Sequence, residues 1–573
     1  MFVQSYVIIT TGQIKTVWHD QYSTCWRQLQ ENNVATCPNN IPCFGLFTNT
    51  PQDMTPNYEY CTTDGTYPLE ARCAVTTISS VSWIVRGGIM LGMLSFGYIA
   101  EWGRKAAGVL VCACMLSGLV VMTFVNSNTV NTMFAVWAVF FGLFGIGVGG
   151  EYPLSASCAA EKQDPGSSAR TRTYTQENDK NWTNEEHHQQ QQAHDMQQSL
   201  ARVLRRGETI SIAFAMQGVG ALFGSLVLIC LIYFSRQGHV DCNAPGSNES
   251  GYNDMALESI WRTFYFIGLL QVLILIVYRS LFEKESATFR KVLERKKKRQ
   301  EQWGKYSTAK ILRFYAPALI GTAGTWFFWD LGFYGLKLYS GPIFSAIVPK
   351  GDLMTLNLYI LFNNACALVG YYCTTAVIDK KAVGRRMLQM VSFLVSSIIF
   401  IIMGFFFHSF PPRVTLALFI VNSFLGQFGP NVTIYVMAAE RYPTELRSTC
   451  NGLSAFVGKC GALVGTVLFG YITTDQMFYV TGLSFFMGFV FTWLFSSDLT
   501  HVPLAEHDAQ LEVFLEGTPE KYKGKLNKKE HLSRFEVWMG LHGEYDPNWA
   551  RTFVKMDQMN RVHEQHQHKE IEC

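Results

Sequence analysis

Five apolar stretches of this 573-residue chain each hold a polar side chain that a purely structural helix would not need. Glu151 and Tyr152 sit in GLFGIGVGGEYPLSASCAAE, residues 142–161. Gln217 sits in FAMQGVGAL, Asn431 in QFGPNVTIY behind the helix-loosening Pro430, and Lys459 in SAFVGKCGAL. The fifth stretch, GTAGTWFFWDLGFYGLKLYSGPIF, carries Trp326, Asp330 and Tyr334 at steps of four, on one helical face. An acid or a base deep in an apolar helix is expensive and marks a transport path. A lysine beside amide and phenol donors suits an oxyanion, and carboxylates suit proton exchange. For the uncharged groups a plainer reading stays open. Gln217 and Asn431 would also serve as hydrogen bonds between helices, and Trp326 and the tyrosines as interface residues.

The elements that must hold these groups are membrane spans. Charged residues make up 16% of the chain against 49% hydrophobic, and apolar blocks of about 18–25 residues recur, the length that crosses a bilayer. The blocks fall near 78–100, 107–125, 132–158, 207–234, 260–282, 313–345, 355–378, 387–408, 413–439, 449–472 and 476–497. The fold class is therefore an all-α membrane protein. Residues 1–18 read as part of a further, first span, too short and too polar (Gln4, Gln13, Lys15) to cross alone. This suggests an N-terminally shortened chain. Basic residues sort the loops. Arg104 and Lys105, Arg202 to Arg206, Arg295 to Arg299, Lys380 to Arg386, and Arg441 with Arg447 share one side, assigned as cytoplasmic together with the tail. The segments expected are an outer cysteine-rich loop at 19–77 and a first membrane half at 78–282 with an insertion at about 162–205. A basic connection at 283–312, a second half at 313–497 and a cytoplasmic tail at 498–573 follow.

The outer loops hold Cys25, Cys37, Cys43, Cys61, Cys73 and Cys242, six thiols in a compartment where disulfides persist, with fifteen pairings open. Asn248 begins a sequon in the same compartment and is the expected glycosylation site. His187, His188 and His194 in the Gln/His-rich insertion, and His563, His566 and His568 in the tail, lack a metal-ligand framework and read as solvated segments. Lys296 to Lys298 either meet anionic lipid head groups or act only as a topology signal. No nucleotide-binding loop, zinc signature or nucleophile elbow occurs, so neither an enzyme nor a cofactor or metal is expected, and no nucleic-acid partner.

An internal repeat orders the spans. GYIAEWGRK, with Glu101, Arg104 and Lys105, has the ingredients of DKKAVGRRM, with Asp379, Arg385 and Arg386. Such acid and Arg-Lys turns lock neighbouring helices by charge pairing. Glu161 and Glu440 follow matching Ala-Ala pairs 279 residues apart, while Arg206 and Arg447 are 241 apart, as are Gly220 and Gly461, and Gly224 and Gly465. The offsets differ by 38 residues, which places an insertion between Glu161 and Arg206. Two parallel six-span halves are expected, with Glu161, Glu440 and Arg447 joining the gating set.

The strings GGEYPLS, RRG…MQG, GTAGTWFFWDLGFYG, FGPNVT and RSTCNGLSAFVGKCGA keep their order along the chain. In them the sequence resembles the major facilitator superfamily, and within it the phosphate:proton symporters. The resemblance implies a pocket between the halves lined by Tyr152, Gln217, Trp326, Asp330, Tyr334, Asn431 and Lys459. It implies proton handling at Glu151 and Asp330, although that family usually has Asp at the place of Glu151. Its first-span acid has no counterpart here. The function expected is proton-coupled uptake of inorganic phosphate across the bilayer by alternating access, in the plasma membrane. The alternatives are a carrier of a phosphorylated organic compound such as a glycerophosphodiester, or of another organic anion, and a nutrient receptor that binds without turnover.

Overall fold

The computed structural model describes residues 1–22, 69–126, 130–162, 204–235, 254–285, 308–338, 353–469 and 471–549, with isolated positions between 289 and 297. Cys25, Cys37, Cys43, Cys61, Cys242, Asn248, the Gln/His-rich insertion and the tail histidines lie outside the described residues. Among the described residues there is no strand, and the chain runs through twelve long helices. The first half comprises α1 (Phe2–Tyr22), α2 (Leu69–Ile99), α3 (Arg104–Phe124), α4 (Val130–Lys162), α5 (Arg206–Ser235) and α6 (Asp254–Leu281). The second comprises α7 (Ala316–Leu338), α8 (Leu353–Val377), α9 (Gly384–Phe406), α10, α11 (Arg447–Phe469) and α12 (Thr474–Phe495). Helix α10 is broken at Gly429 into α10a (Pro412–Phe428) and α10b (Pro430–Glu440), since Pro430 has no N–H with which to continue the ladder. By contrast α4 stays continuous through Pro153. Helix α2 begins at Leu69, inside the stretch expected as outer loop, so Cys73 lies on a helix.

Eight of these helices are long and apolar enough to cross a membrane by length and composition. The burial pattern agrees. On α9, Val391, Val395, Ile398, Ile402 and Phe405 are exposed, while Gln389, Ser392, Ser396 and Ser397 face inward. Apolar-out and polar-in is the arrangement that lipid selects and water does not.

The two halves repeat in space. In the first, α1 packs on α5 and α6, α2 on α4, and α3 on α4 and α6. In the second, α7 packs on α11 and α12, α8 on α10a, and α9 on α10a and α12. Adding six to each number converts one set into the other. The matched glycines explain the closest of these contacts. A Cβ on Gly220 or Gly224 would strike α1, at the Phe2 carbonyl and the Thr10 side chain, and one on Gly461 or Gly465 would strike the Phe327 or Leu331 carbonyl of α7. The halves meet along two symmetry-related seams, α2 with α11 and α5 with α8.

Several polar residues of α1 face inward. Gln4, Thr11 and Gln13 line a cavity between the halves, and Trp18 is buried against Phe134, Trp137 and Tyr265. Beyond α12 the chain folds back under the second half as α13 (Ala505–Leu515), three short 3₁₀ turns and α14 (Arg534–Trp538). This end of the bundle is called the tail side below.

Candidate functional site

The centre of the site is a buried ion pair. Lys459 Nζ on α11 donates to Asp330 Oδ2 on α7 at 2.8 Å, and both residues are almost wholly enclosed. The ammonium also lies 3.9 Å from the ring centroid of Tyr334 and 5.5 Å from that of Tyr152. It is thus held by one carboxylate and two aromatic faces. Gly458 leaves room for Trp326, whose Cδ1 a Cβ there would strike, and Trp326 stands edge-on to Tyr152 with centroids 6.4 Å apart. Helix α7 brings Trp326, Asp330 and Tyr334 to the same side because residues four apart drift only about 40° around the axis.

From Tyr152 a chain of hydrogen bonds crosses to the other half. Gln217 Nε2 donates to Tyr152 Oη at 3.4 Å, and Tyr371 Oη donates to Gln217 Oε1 at 3.4 Å. Asn431 Nδ2 donates to Tyr371 Oη at 2.8 Å and to Gln427 Oε1 at 2.6 Å, while Trp329 Nε1 donates to Asn431 Oδ1 at 3.1 Å. All seven residues expected to bind substrate therefore lie in this one region. Tyr152, Gln217, Tyr334 and Lys459 line the cavity itself. Asp330, Trp326 and Asn431 stand behind them.

Glu151 faces elsewhere. Neighbours on a helix point about 100° apart, so with Tyr152 toward the cavity Glu151 turns into the first half. There Arg279 Nη2 donates to Glu151 Oε1 at 2.8 Å, and Arg279 Nη1 donates to the Gly108 carbonyl at 3.1 Å. The Met1 amino group is 3.7 Å from the same oxygen. Glu151 Oε2 is buried with no hydrogen-bond partner.

The charged turns form two matching clusters on the tail side. Glu161, at the end of α4, accepts from Arg104 at 2.8 Å and lies 3.7 Å from Arg447 of the opposite half. Glu440, at the end of α10b, accepts from Arg385 at 2.9 and 3.0 Å and from Arg206 of the opposite half at 2.8 Å. The acid of each turn caps a helix across the seam. Glu101 accepts from the Ser448 and Thr449 amides of α11 at 3.0 and 3.2 Å. Asp379 accepts from the Gly207 and Glu208 amides of α5 at 3.2 and 2.6 Å. Both clusters thus join one half to the other. Two residues expected among them stay outside. The Lys105 backbone amide bonds to Glu285, and Arg386 donates to the Trp493 carbonyl at 2.7 Å.

Three residues here were not singled out from sequence. Tyr371 had no signal, since tyrosines are common in spans. Arg279 sits in the last turn of α6, where a positive charge reads as a topology marker. Lys337 follows Tyr334 by three residues and lines the same cavity, a helical-face signal that was available. Among the described residues no three His, Cys, Asp or Glu side chains gather as metal ligands would.

Residues 198–466 match the family model described as Major Facilitator Superfamily. The repressible high-affinity phosphate permease of Neurospora crassa is 25% identical over 447 residues, covering 70% of this chain and 71% of that protein. Glycerophosphoinositol permease 1 of Candida albicans is 25% identical over 475 residues, 81% and 78% respectively. Among solved structures, the proton:xylose symporter XylE superposes with a TM-score of 0.56 at 13% identity, over 89% of this chain and 98% of that one. The site thus lies between two six-helix halves, in a central cavity closed by charge clusters at one end. Over residues 198–466 the chain is similar to the Major Facilitator Superfamily model, and its fold is similar to that of XylE.

Proposed function

We propose that this protein carries inorganic phosphate inward across the plasma membrane with protons, its tail on the cytoplasmic side. The observation that carries the reading is the Lys459–Asp330 pair at the floor of a cavity shared by both halves. Phosphate entering from the side opposite the tail meets the Lys459 ammonium, the Tyr152 and Tyr334 hydroxyls and the Gln217 amide, all donors. As its oxygens take hydrogen bonds from Lys459, Asp330 loses its counter-charge, and a buried carboxylate without one favours the protonated form. Anion binding and proton uptake are thereby linked. Glu151, with one oxygen on Arg279 and the other without a partner, is a second place for a proton. Release toward the tail side requires the Glu161 and Glu440 clusters to part. The named activity of the Neurospora relative supports the substrate class.

Counterflow of labelled phosphate in vesicles reconstituted with the full chain tests the reading. Wild-type protein should exchange phosphate. Lys459→Ala should weaken phosphate binding about tenfold or more, since a charge-assisted donor is worth roughly 1.5–3 kcal/mol. Asp330→Asn should lose accumulation against a gradient. Normal concentrative uptake by both variants would overturn the assignment. A second reading, a glycerophosphodiester as cargo, is favoured by the Candida relative's 81% coverage of this chain. It predicts that such an ester, and not phosphate, drives the counterflow.

A further inference from the structure

We propose that Lys337 and Arg86 form a second oxyanion subsite in the same cavity, one level further from the tail side than Lys459; the proposal rests on the phosphate reading above. Lys337 follows Asp330 by seven residues, which returns it to within about 20° of the same helical face and moves it about 10 Å along α7. It lines the cavity with Tyr334, and so does Arg86 of α2. The cavity wall therefore carries three cations, Lys459, Lys337 and Arg86. Cations at this depth are costly and call for a function. The oxygens of one phosphate all sit on a single phosphorus, so an ion seated on Lys459 leaves the second level for another anionic group.

That level is built from both halves. Lys337 Nζ donates to Asn364 Oδ1 at 3.5 Å, longer than the usual 2.7–3.2 Å. Asn364 is held in place from across the α5–α8 seam, where its Nδ2 donates to Ser225 Oγ at 2.9 Å and Ser225 Oγ donates to Gln13 Oε1 at 3.1 Å. An oxyanion between Arg86 of the first half and Lys337 of the second draws the two together on the open side of the cavity. It is either a second phosphate ion, queued behind the first, or the distal anionic group of a larger organic phosphate.

The test is equilibrium binding to the purified full-length protein, with inorganic phosphate and propane-1,3-diyl bisphosphate as probes. If the source is a second ion, wild type binds two phosphates and Lys337→Gln one. If it is a distal group, wild type binds one phosphate but takes the bisphosphate about tenfold or more tighter, and Lys337→Gln loses that preference. In either case Lys337→Arg retains the wild-type pattern and Arg86→Gln resembles Lys337→Gln. Should Lys337→Gln fail to fold, Arg86→Gln carries the same comparison. Wild type that binds one phosphate with no preference for the bisphosphate, or a pattern unchanged in both Gln variants, overturns the subsite alone. Wild type that binds neither probe overturns the phosphate reading, and the subsite with it.

Discussion

Glu151 shows how a single buried carboxylate depends on its partner. Removing one member of a buried ion pair leaves an uncompensated charge, at a cost of about 3–5 kcal/mol. Glu151→Gln should therefore lower the melting temperature of the solubilised protein, because Arg279 stays charged and enclosed beside Gly108 with only the longer, partly exposed contact to Glu283, at 3.6 Å, as counter-charge. Replacing both residues, Glu151→Gln with Arg279→Met, should restore most of the loss, and a double variant no more stable than the single one would show that the pair is not what holds this region. The restored protein should still fail to accumulate substrate if Glu151 carries a proton. Sequence alone reached Glu151, Asp330 and Lys459, because charge inside an apolar run has few structural explanations. It did not reach Arg279, whose place at a helix end has an ordinary explanation, nor Tyr371, whose importance exists only once α8 lies against α5.

At the scale of elements, the helix ends matter more than the helix bodies. Each half offers an acid to the first turn of the other half's fifth helix, and a second acid to arginines on both sides of the seam. Glu440→Gln leaves Arg206 and Arg385 facing each other with weaker compensation, so the tail-side seam should open more often. Ser157→Cys is a suitable reporter of opening at the matching seam, since Ser157 is fully buried and its Oγ lies 2.8 Å from Ser448 Oγ beside the Glu161 cluster, which must part together with the Glu440 cluster. Its alkylation rate should rise about tenfold in the Glu440→Gln background, and an unchanged rate would mean that the cluster does not hold the closed form. The repeat was readable because matched glycines and charged turns keep their spacing. The polar character of α1 predicts that it crosses a membrane poorly alone, and it is not among the eight helices apolar enough by composition to cross. Its glutamines face the cavity, which hydropathy averaged over all faces of a helix does not distinguish.

For the whole molecule, the tail changes what one half can do. Its scattered aromatics suit a segment that folds back on the membrane domain, and Leu511 and Leu515 of α13 pack on Tyr315, Ala318, Tyr442 and Cys450, while the Phe514 and Phe314 rings lie 4.2 Å apart. Asp508 accepts from the Thr444 amide at 2.6 Å, Glu536 pairs with Arg441, and His501 Nε2 lies 2.9 Å from the Asp379 carbonyl. These contacts tie together the ends of the second half that carry Glu440, Arg447 and Asp379. His507 sits within this dock, buried, with no partner for Nδ1. Burial holds its imidazole well below the ordinary range, and Arg441, Arg447, Arg206 and His531 push the same way. The docked tail thus keeps His507 neutral, while a released tail titrates near 6.5. Above that pH the two forms bind the same protons, and docking is unaffected. As pH falls through 6.5 only the released form gains a proton, so docking weakens, by about 1.4 kcal/mol per pH unit at most. Cys450 is fully enclosed beneath α13 and reports the release. Its alkylation should be near constant between pH 8 and pH 7, then rise several-fold toward pH 5.5 once corrected for thiolate fraction. His507→Gln should flatten that rise. A rise of equal size in the variant would place the pH sensitivity on the neighbouring carboxylates instead and remove His507 from the account.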